Sequence, residues 1–269
     1  MGNPPAFPFL LIRLMGSFFR KPGVTVLTYH SIDESGSTLS VTPSAFERQM
    51  RYLKENRFPV LPLSQIARIL KARVPFPRNT VSLTFDDGYR NTYGKAFPVL
   101  QAYGFPATVF IATRFCGRKN EWHQPGISIP SLPMLSWEEI EEMSRGSFEI
   151  GAHTHNHLHL SGLSPDVLRE EVLTSKAAIE DKTGKPCHLF AYPFGTLNDR
   201  VKRWISSEFT VACTDRLGRV THRSDPHCLE RVDAGYAPHP SAFKTLITSS
   251  LHLYLPLKRI YRKGIGDGR

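Results

Sequence analysis

A single-domain α/β barrel of about seven parallel strands is the fold that this sequence predicts. Short β-rich runs alternate with helix-like segments through the middle of the chain, as in parallel strands joined by crossover helices, and about seven such units follow one another. No internal repeat divides them. The 269 residues can build one large domain or two small ones, and a hydrophobic fraction of 41% with 22% charged residues excludes a largely disordered or collagen-like chain.

The expected strands are Val24–Tyr29, Thr80–Phe85, Ala107–Ile111, Phe148–Ala152, His188–Tyr192, Phe209–Cys213 and about Leu229–Ala234. Between the first two, Thr42 caps a helix that has Pro43 in its first turn and Phe46, Met50 and Leu53 on one face. Ser64 is expected to cap the next. Ser136 and Glu139 form a capping box, and Gly146 stops that helix. Ser164-Pro165 starts another, which Gly184 ends. Residues 118–133 carry prolines and little periodicity, and read as a long loop of the kind that shapes a binding site.

The two ends differ from the middle. Residues 1–22 form an apolar and basic extension, 251–269 a basic tail, and the barrel is expected to occupy 23–250. Phe7 to Phe19 is the longest apolar stretch, but it contains Arg13, lacks a basic leader and runs into Arg20-Lys21-Pro22, so a secretory signal is not expected. Cys116, Cys187, Cys213 and Cys228 show no C-x-x-C pairing and read as reduced thiols of a cytoplasmic protein.

The net charge of +10 comes without a nucleic-acid-binding motif, so an acidic substrate or an anionic membrane is the better match. Leucine and aromatic residues beside Arg and Lys at both ends predict reversible binding to the inner face of such a membrane. Nothing in the sequence specifies an oligomeric state.

Chemistry concentrates at two places. Thr84-Phe85-Asp86-Asp87-Gly88 sets two carboxylates at the end of an apolar strand, where parallel α/β barrels keep their active sites. Alone, Asp-Asp-Gly is as easily a solvated turn. His153, His155, His157 and His159 alternate after another apolar strand. In an extended segment all four share a face; in a helical turn His153 pairs with His157 and His155 with His159. Such a run also occurs in plain surface turns. Together, however, two histidines, one carboxylate ligand and a second carboxylate as base are the parts of metal-assisted hydrolysis.

These residues resemble the polysaccharide deacetylase family, whose domain is also named for the chitooligosaccharide deacetylase of nodulation. Its T-F-D-D-G motif stands at Thr84–Gly88, its H-[ST]-x-x-H motif at His153–His157, and its Pro-aromatic-Gly step in modified form at Phe190–Gly195. The likeness runs from Val26–Ile32 to about Leu229–Val232, roughly three quarters of the chain. It implies an irregular (β/α) barrel that hydrolyses an N-acyl, typically N-acetyl, group on an amino sugar of a glycan or glycolipid. It further implies that Asp86 is the base, that Asp87, His153 and His157 hold one divalent metal, usually zinc, and that the Phe194 N–H helps bind the oxyanion.

Two departures stand out. Many members carry an arginine in the third motif that pairs with the catalytic aspartate, where this chain has Ala191. The late Leu-His motif that supplies a general acid has no recognisable counterpart in the tail. His30, at the end of the first strand, is the candidate replacement or a substrate contact, with Arg231 and Asp233 as further candidates. Trp122 in the long loop and Tyr192 are expected to face the sugar, and Trp137 the core. His155 and His159 are expected to hold no metal. The competing readings are a catalytically inactive carbohydrate-binding barrel and a metal-dependent phosphoester hydrolase.

Overall fold

The central strands are short apolar runs buried on both faces, the pattern of parallel strands walled by helices. Every residue of β1 (Thr25–Tyr29), β4 (Val81–Phe85) and β5 (Ala107–Ile111) is buried. With β6 (Phe148–Ala152), β7 (Leu189–Ala191), β8 (Val211–Leu217) and β9 (Leu229–Asp233), they close into a seven-stranded parallel barrel in the order β1-β4-β5-β6-β7-β8-β9. A small parallel ribbon, β2 (Ser31–Ile32) with β3 (Ser40–Val41), lies apart from it. This computed structural model describes residues 23–122, 130–237 and 240–247. The terminal extensions, with the domain limits and membrane contact expected of them, lie outside the described residues.

The barrel is irregular, as the family resemblance implies. β7 is three residues long and meets β6 at a single register pair, Ala152 with Phe190, and the β8–β9 ladder slips between Cys213 and Leu217. β7 is thus shorter than the expected 188–192, and β8 starts two residues later and ends four later than expected.

Helices α1 (Pro43–Glu55), α2 (Leu63–Ala72), α3 (Phe97–Tyr103), α4 (Trp137–Arg145), α5 (Pro165–Thr183), α6 (Asp199–Glu208) and α7 (Pro240–Ile247) follow the strands. Thr42 Oγ1 accepts from the Ala45 N–H at 3.2 Å, the Ser136–Glu139 capping box is complete, and Gly184 ends α5 at φ 66°. Ser64 does not cap α2. Pro62 holds the N-cap position, and the Ser64 N–H instead donates to Glu149 Oε2 at 3.2 Å.

Strand parity decides which residues face the barrel interior, since successive side chains alternate between faces. On β1, Leu27 and Tyr29 pack outward with Phe46, Met50 and Leu53 of α1, whereas Val24 and Val26 join Phe110, Ala191, Val211, Cys213 and Leu229 in a second cluster. The inward set on β1 therefore continues through Thr28 to His30, and on β4 through Ser82 and Thr84 to Asp86. On β9, Leu229 is followed inward by Arg231 and Asp233. The carboxyl ends of the strands thus bring His30, Asp86, Arg231 and Asp233 to one cleft of about 380 Å³.

Candidate active site

Asp86 continues the β1–β4 ladder, donating its N–H to the Tyr29 carbonyl at 2.9 Å. Asp87 then turns into the left-handed region at φ 72°, followed by Gly88 at φ 88°, and this reversal sends adjacent carboxylates into different surroundings. The left-handed Asp87, Thr154, His157 and Phe194 all belong to the cleft or the loop that forms it. Each such conformation costs about 1–3 kcal/mol and persists where surrounding contacts fix it.

Asp87 Oδ1 lies 3.3 Å from His153 Nε2 and 3.2 Å from His157 Nε2. All three residues are buried, and they form the one cluster suited to a metal among the described residues. The His153 N–H extends the β5–β6 ladder to the Ile111 carbonyl at 3.0 Å. Its Nδ1–H donates to the Ala191 carbonyl at 2.8 Å, which orients the ring so that Nε2 faces Asp87. His157 reaches the same carboxylate through a non-helical loop, in which its N–H donates to Thr154 Oγ1 at 3.0 Å. The convergence of the i, i+4 pair thus owes nothing to a helical turn.

Burial opposes the charge on Asp87, but hydrogen bonds to His153 and His157 outweigh it and hold the carboxyl well below the usual range. Burial pushes the His157 imidazole down, toward the neutral form that a metal ligand needs. An N₂O set, with two imidazole nitrogens gathered at one carboxylate oxygen, fits a divalent ion of the zinc kind.

Asp86 sits in a different environment. Arg231 Nη1 and Nη2 donate to its two carboxylate oxygens at 2.7 and 2.6 Å, in the planar fork that guanidinium and carboxylate favour. The Arg231 fork is fixed in turn by Nε donating to the Thr214 carbonyl at 2.9 Å and Nη1 to Thr84 Oγ1 at 3.3 Å. Burial would raise the carboxyl of Asp86, yet the charge and hydrogen bonds of Arg231 keep it below the ordinary range. The cation missing at Ala191 is thus replaced across the barrel from β9, and Ala191 contributes its carbonyl to His153 instead.

The chain's similarity to known proteins agrees with this geometry. Residues 73–212 match the family model for polysaccharide deacetylase. This chain belongs to the polysaccharide deacetylase family. It is 29% identical over 225 residues to YxkH of Bacillus subtilis, named for polysaccharide deacetylation, covering 83% of this chain and 76% of that one. It is 27% identical over 254 residues to a poly-beta-1,6-N-acetyl-D-glucosamine N-deacetylase of Staphylococcus epidermidis, covering 85% and 83% of the two chains. The structure of IcaB from Ammonifex degensii superposes with a TM-score of 0.72 at 26% identity, covering 86% of this chain and 98% of that one. The family match ends before β9, so the deacetylase motifs at 84–88, 153–157 and 190–195 lie inside it and Arg231 lies beyond.

Other expected residues of the deacetylase site fall on its walls. His30 Nε2 is 4.0 Å from Asp86 Oδ2, with its side chain partly exposed to the cleft. Trp122 lines the same cleft, against Phe115 and His157 at centroid distances of 5.0 and 4.5 Å. The loop base that carries Trp122 is tied by Asn120, which donates to the Pro130 carbonyl at 3.0 Å and accepts from the Leu132 N–H at 2.6 Å. Tyr192 lines the cleft, but its hydroxyl donates to the His227 carbonyl at 3.0 Å, so it offers ring surface and not a sugar hydrogen bond. Trp137 packs on the main core, as expected. His155 turns away, its Nδ1 2.9 Å from Thr113 Oγ1.

Phe194 occupies a single 3-10 turn with φ 55° between Pro193 and Gly195, where its N–H belongs to the donors that lack a partner within the turn. Gly195 stands at φ 61°, where a side chain would be strained, and an added Cβ would also meet the Asp215 carboxylate. One supporting residue escaped the sequence reading altogether. Glu171 of α5 is buried; its carboxylate accepts from the N–H and the side-chain amide of Asn156, and its carbonyl accepts from the His155 N–H at 3.0 Å. Its place on the face shared by Leu168, Val172 and Ser175 was the available signal, since a glutamate on an apolar helix face needs partners.

Proposed function

We propose that this chain removes N-acetyl groups from amino sugars of a glycan, with a divalent metal, zinc by its donor set, held by Asp87, His153 and His157. The observation that carries this reading is the division of labour between neighbours: Asp87 faces two imidazoles, while Asp86 is paired with Arg231 and borders the same cleft. When bound, the ion would supply a Lewis acid that polarises the amide carbonyl and acidifies water.

Asp86 accepts the proton of the attacking water; the Arg231 fork aims its carboxylate and keeps it ionised. The Phe194 N–H donates to the developing oxyanion, a contact worth about 3 kcal/mol by analogy with removed donors in other hydrolases. His30, which borders the same cleft 4.0 Å from Asp86, returns a proton to the departing amine. Trp122 gives the sugar ring a stacking face. Phosphoester hydrolysis commonly draws on more carboxylate ligands and a second metal, whereas Asp86 is held by Arg231 and a single cluster suits a metal among the described residues.

The Staphylococcus epidermidis relative is named for poly-beta-1,6-N-acetyl-D-glucosamine, which makes β-1,6-linked oligomers the first substrate to offer. Acetate release from such oligomers, abolished by a chelator and restored by Zn²⁺, is the expected result. Hydrolysis of bis(4-nitrophenyl) phosphate without acetate release would overturn the assignment, as would full activity in the chelator.

A further inference from the structure

We propose that His159 is a positioning residue for the metal site, acting through Phe194 to set the orientation of His157. The inference rests on the reading of Asp87, His153 and His157 as metal ligands. A ring orientation fixed to a fraction of an ångström is what a ligating imidazole requires, and hydrogen bonding of its second nitrogen is the usual way to secure it. His153 has that bond. For His157, the buried Nδ1 has no hydrogen-bond partner among the described residues.

Aromatic rings take its place. The His157 ring lies 4.5 Å from Trp122 at an interplanar angle of 36°, and 4.6 Å from Phe194 at 69°. Phe194 itself stands on left-handed backbone, a conformation that persists where surrounding contacts fix it. The support is His159, stacked on Phe194 with centroids 3.9 Å apart and planes 17° apart. His159 is exposed and takes no part in lining the cleft, so its effect on the metal must pass through Phe194. Without it, one face of the Phe194 ring meets solvent, the ring gains freedom, and His157 loses one wall of its clamp.

Binding of Co²⁺ to the full chain tests this, read as affinity by chelator competition and as the visible absorption of the bound ion. His159→Ala is expected to weaken Co²⁺ about three- to tenfold, the range of a lost aromatic contact, and to alter the absorption band. His159→Phe, which keeps the stacked ring but has no ring nitrogen, is expected to bind within about twofold of the parent on the same reasoning. Unchanged affinity and spectrum in His159→Ala would overturn the proposal. So would equal weakening in His159→Phe, which would trace the effect to the imidazole nitrogen or to the fold. His157→Ala separates the two levels: if it retains Co²⁺, the ligand assignment itself fails.

Discussion

Asp86 and Asp87 are neighbours in sequence and strangers in environment. Asp86 ends a strand, inherits the inward parity of Ser82 and Thr84, and meets a guanidinium from β9. Asp87 has left the strand, takes φ 72°, and meets two imidazoles from the loop after β6. Both are buried, and both are held ionised against that burial, by a permanent cation in one case and by hydrogen bonds to histidines in the other. The difference teaches that one backbone reversal is enough to divide a carboxylate pair between proton transfer and metal binding. The carboxylate facing histidines could share a cation with them; the one forked by Arg231 already has its cation.

The largest effect should come from exchanging charge for amide at the two positions. Asp86→Asn is expected to lower kcat by about 10²- to 10⁴-fold, the range of a general base, while metal content by atomic absorption stays at the parent level. Asp87→Asn is expected to lose metal and activity together. Loss of metal from Asp86→Asn would collapse the distinction between the neighbours and make both of them ligands.

A smaller effect should follow from removing the cation. Arg231→Met leaves Asp86 buried and unpaired, a change that costs about 3–5 kcal/mol in other buried pairs and is readable by urea unfolding. The double variant Asp86→Asn/Arg231→Met should recover much of that loss, since neither charge then stands alone. Ala191→Arg should bring no gain in activity, because Arg231 already fills the place beside Asp86. Equal destabilisation in the single and double variants would mean that Arg231 works by packing and not by pairing.

How far the sequence reached follows from the range of each interaction. Strands β5 and β6 were readable to the residue because their apolar runs end at clear breaks, and T-F-D-D-G and H-T-H-N-H are local patterns whose parts lie within five residues. Caps at Thr42, Ser136 and Ser164 were readable for the same reason. Ser64 misled because Pro62 already fixes extended backbone at the N-cap, leaving the serine inside the first turn. Arg231 joins Asp86 across 145 positions of chain, and the alternation Leu229, Arg231, Asp233 does not say which face is inside when Val232 is apolar too. Register supplies the answer, through Leu27 opposite Val232 and Thr28 opposite Asp233. The expected 188–192 overshot β7 by one residue at each end, since only 189–191 pair with β8, and His188 and Tyr192 contribute just the carbonyl and the N–H that close that ladder.

The smallest effect concerns the histidine that lies between the two ligands in sequence. His155 has the same side-chain chemistry as His153 and His157, yet its Nδ1 faces Thr113 Oγ1 and its N–H donates to the Glu171 carbonyl, on the far side of the loop from Asp87. Thr154 in the left-handed region breaks the extended alternation that would otherwise have put all the histidines on one face. His155→Ala should therefore keep full metal content and cost no more than about 1 kcal/mol, the worth of one lost hydrogen bond. His153→Ala and His157→Ala should lose the metal. If His155→Ala lost it and His157→Ala kept it, the carboxylate of Asp87 would have to be shared with a different imidazole, and the loop geometry that separates Asp87 from Asp86 would no longer explain the site.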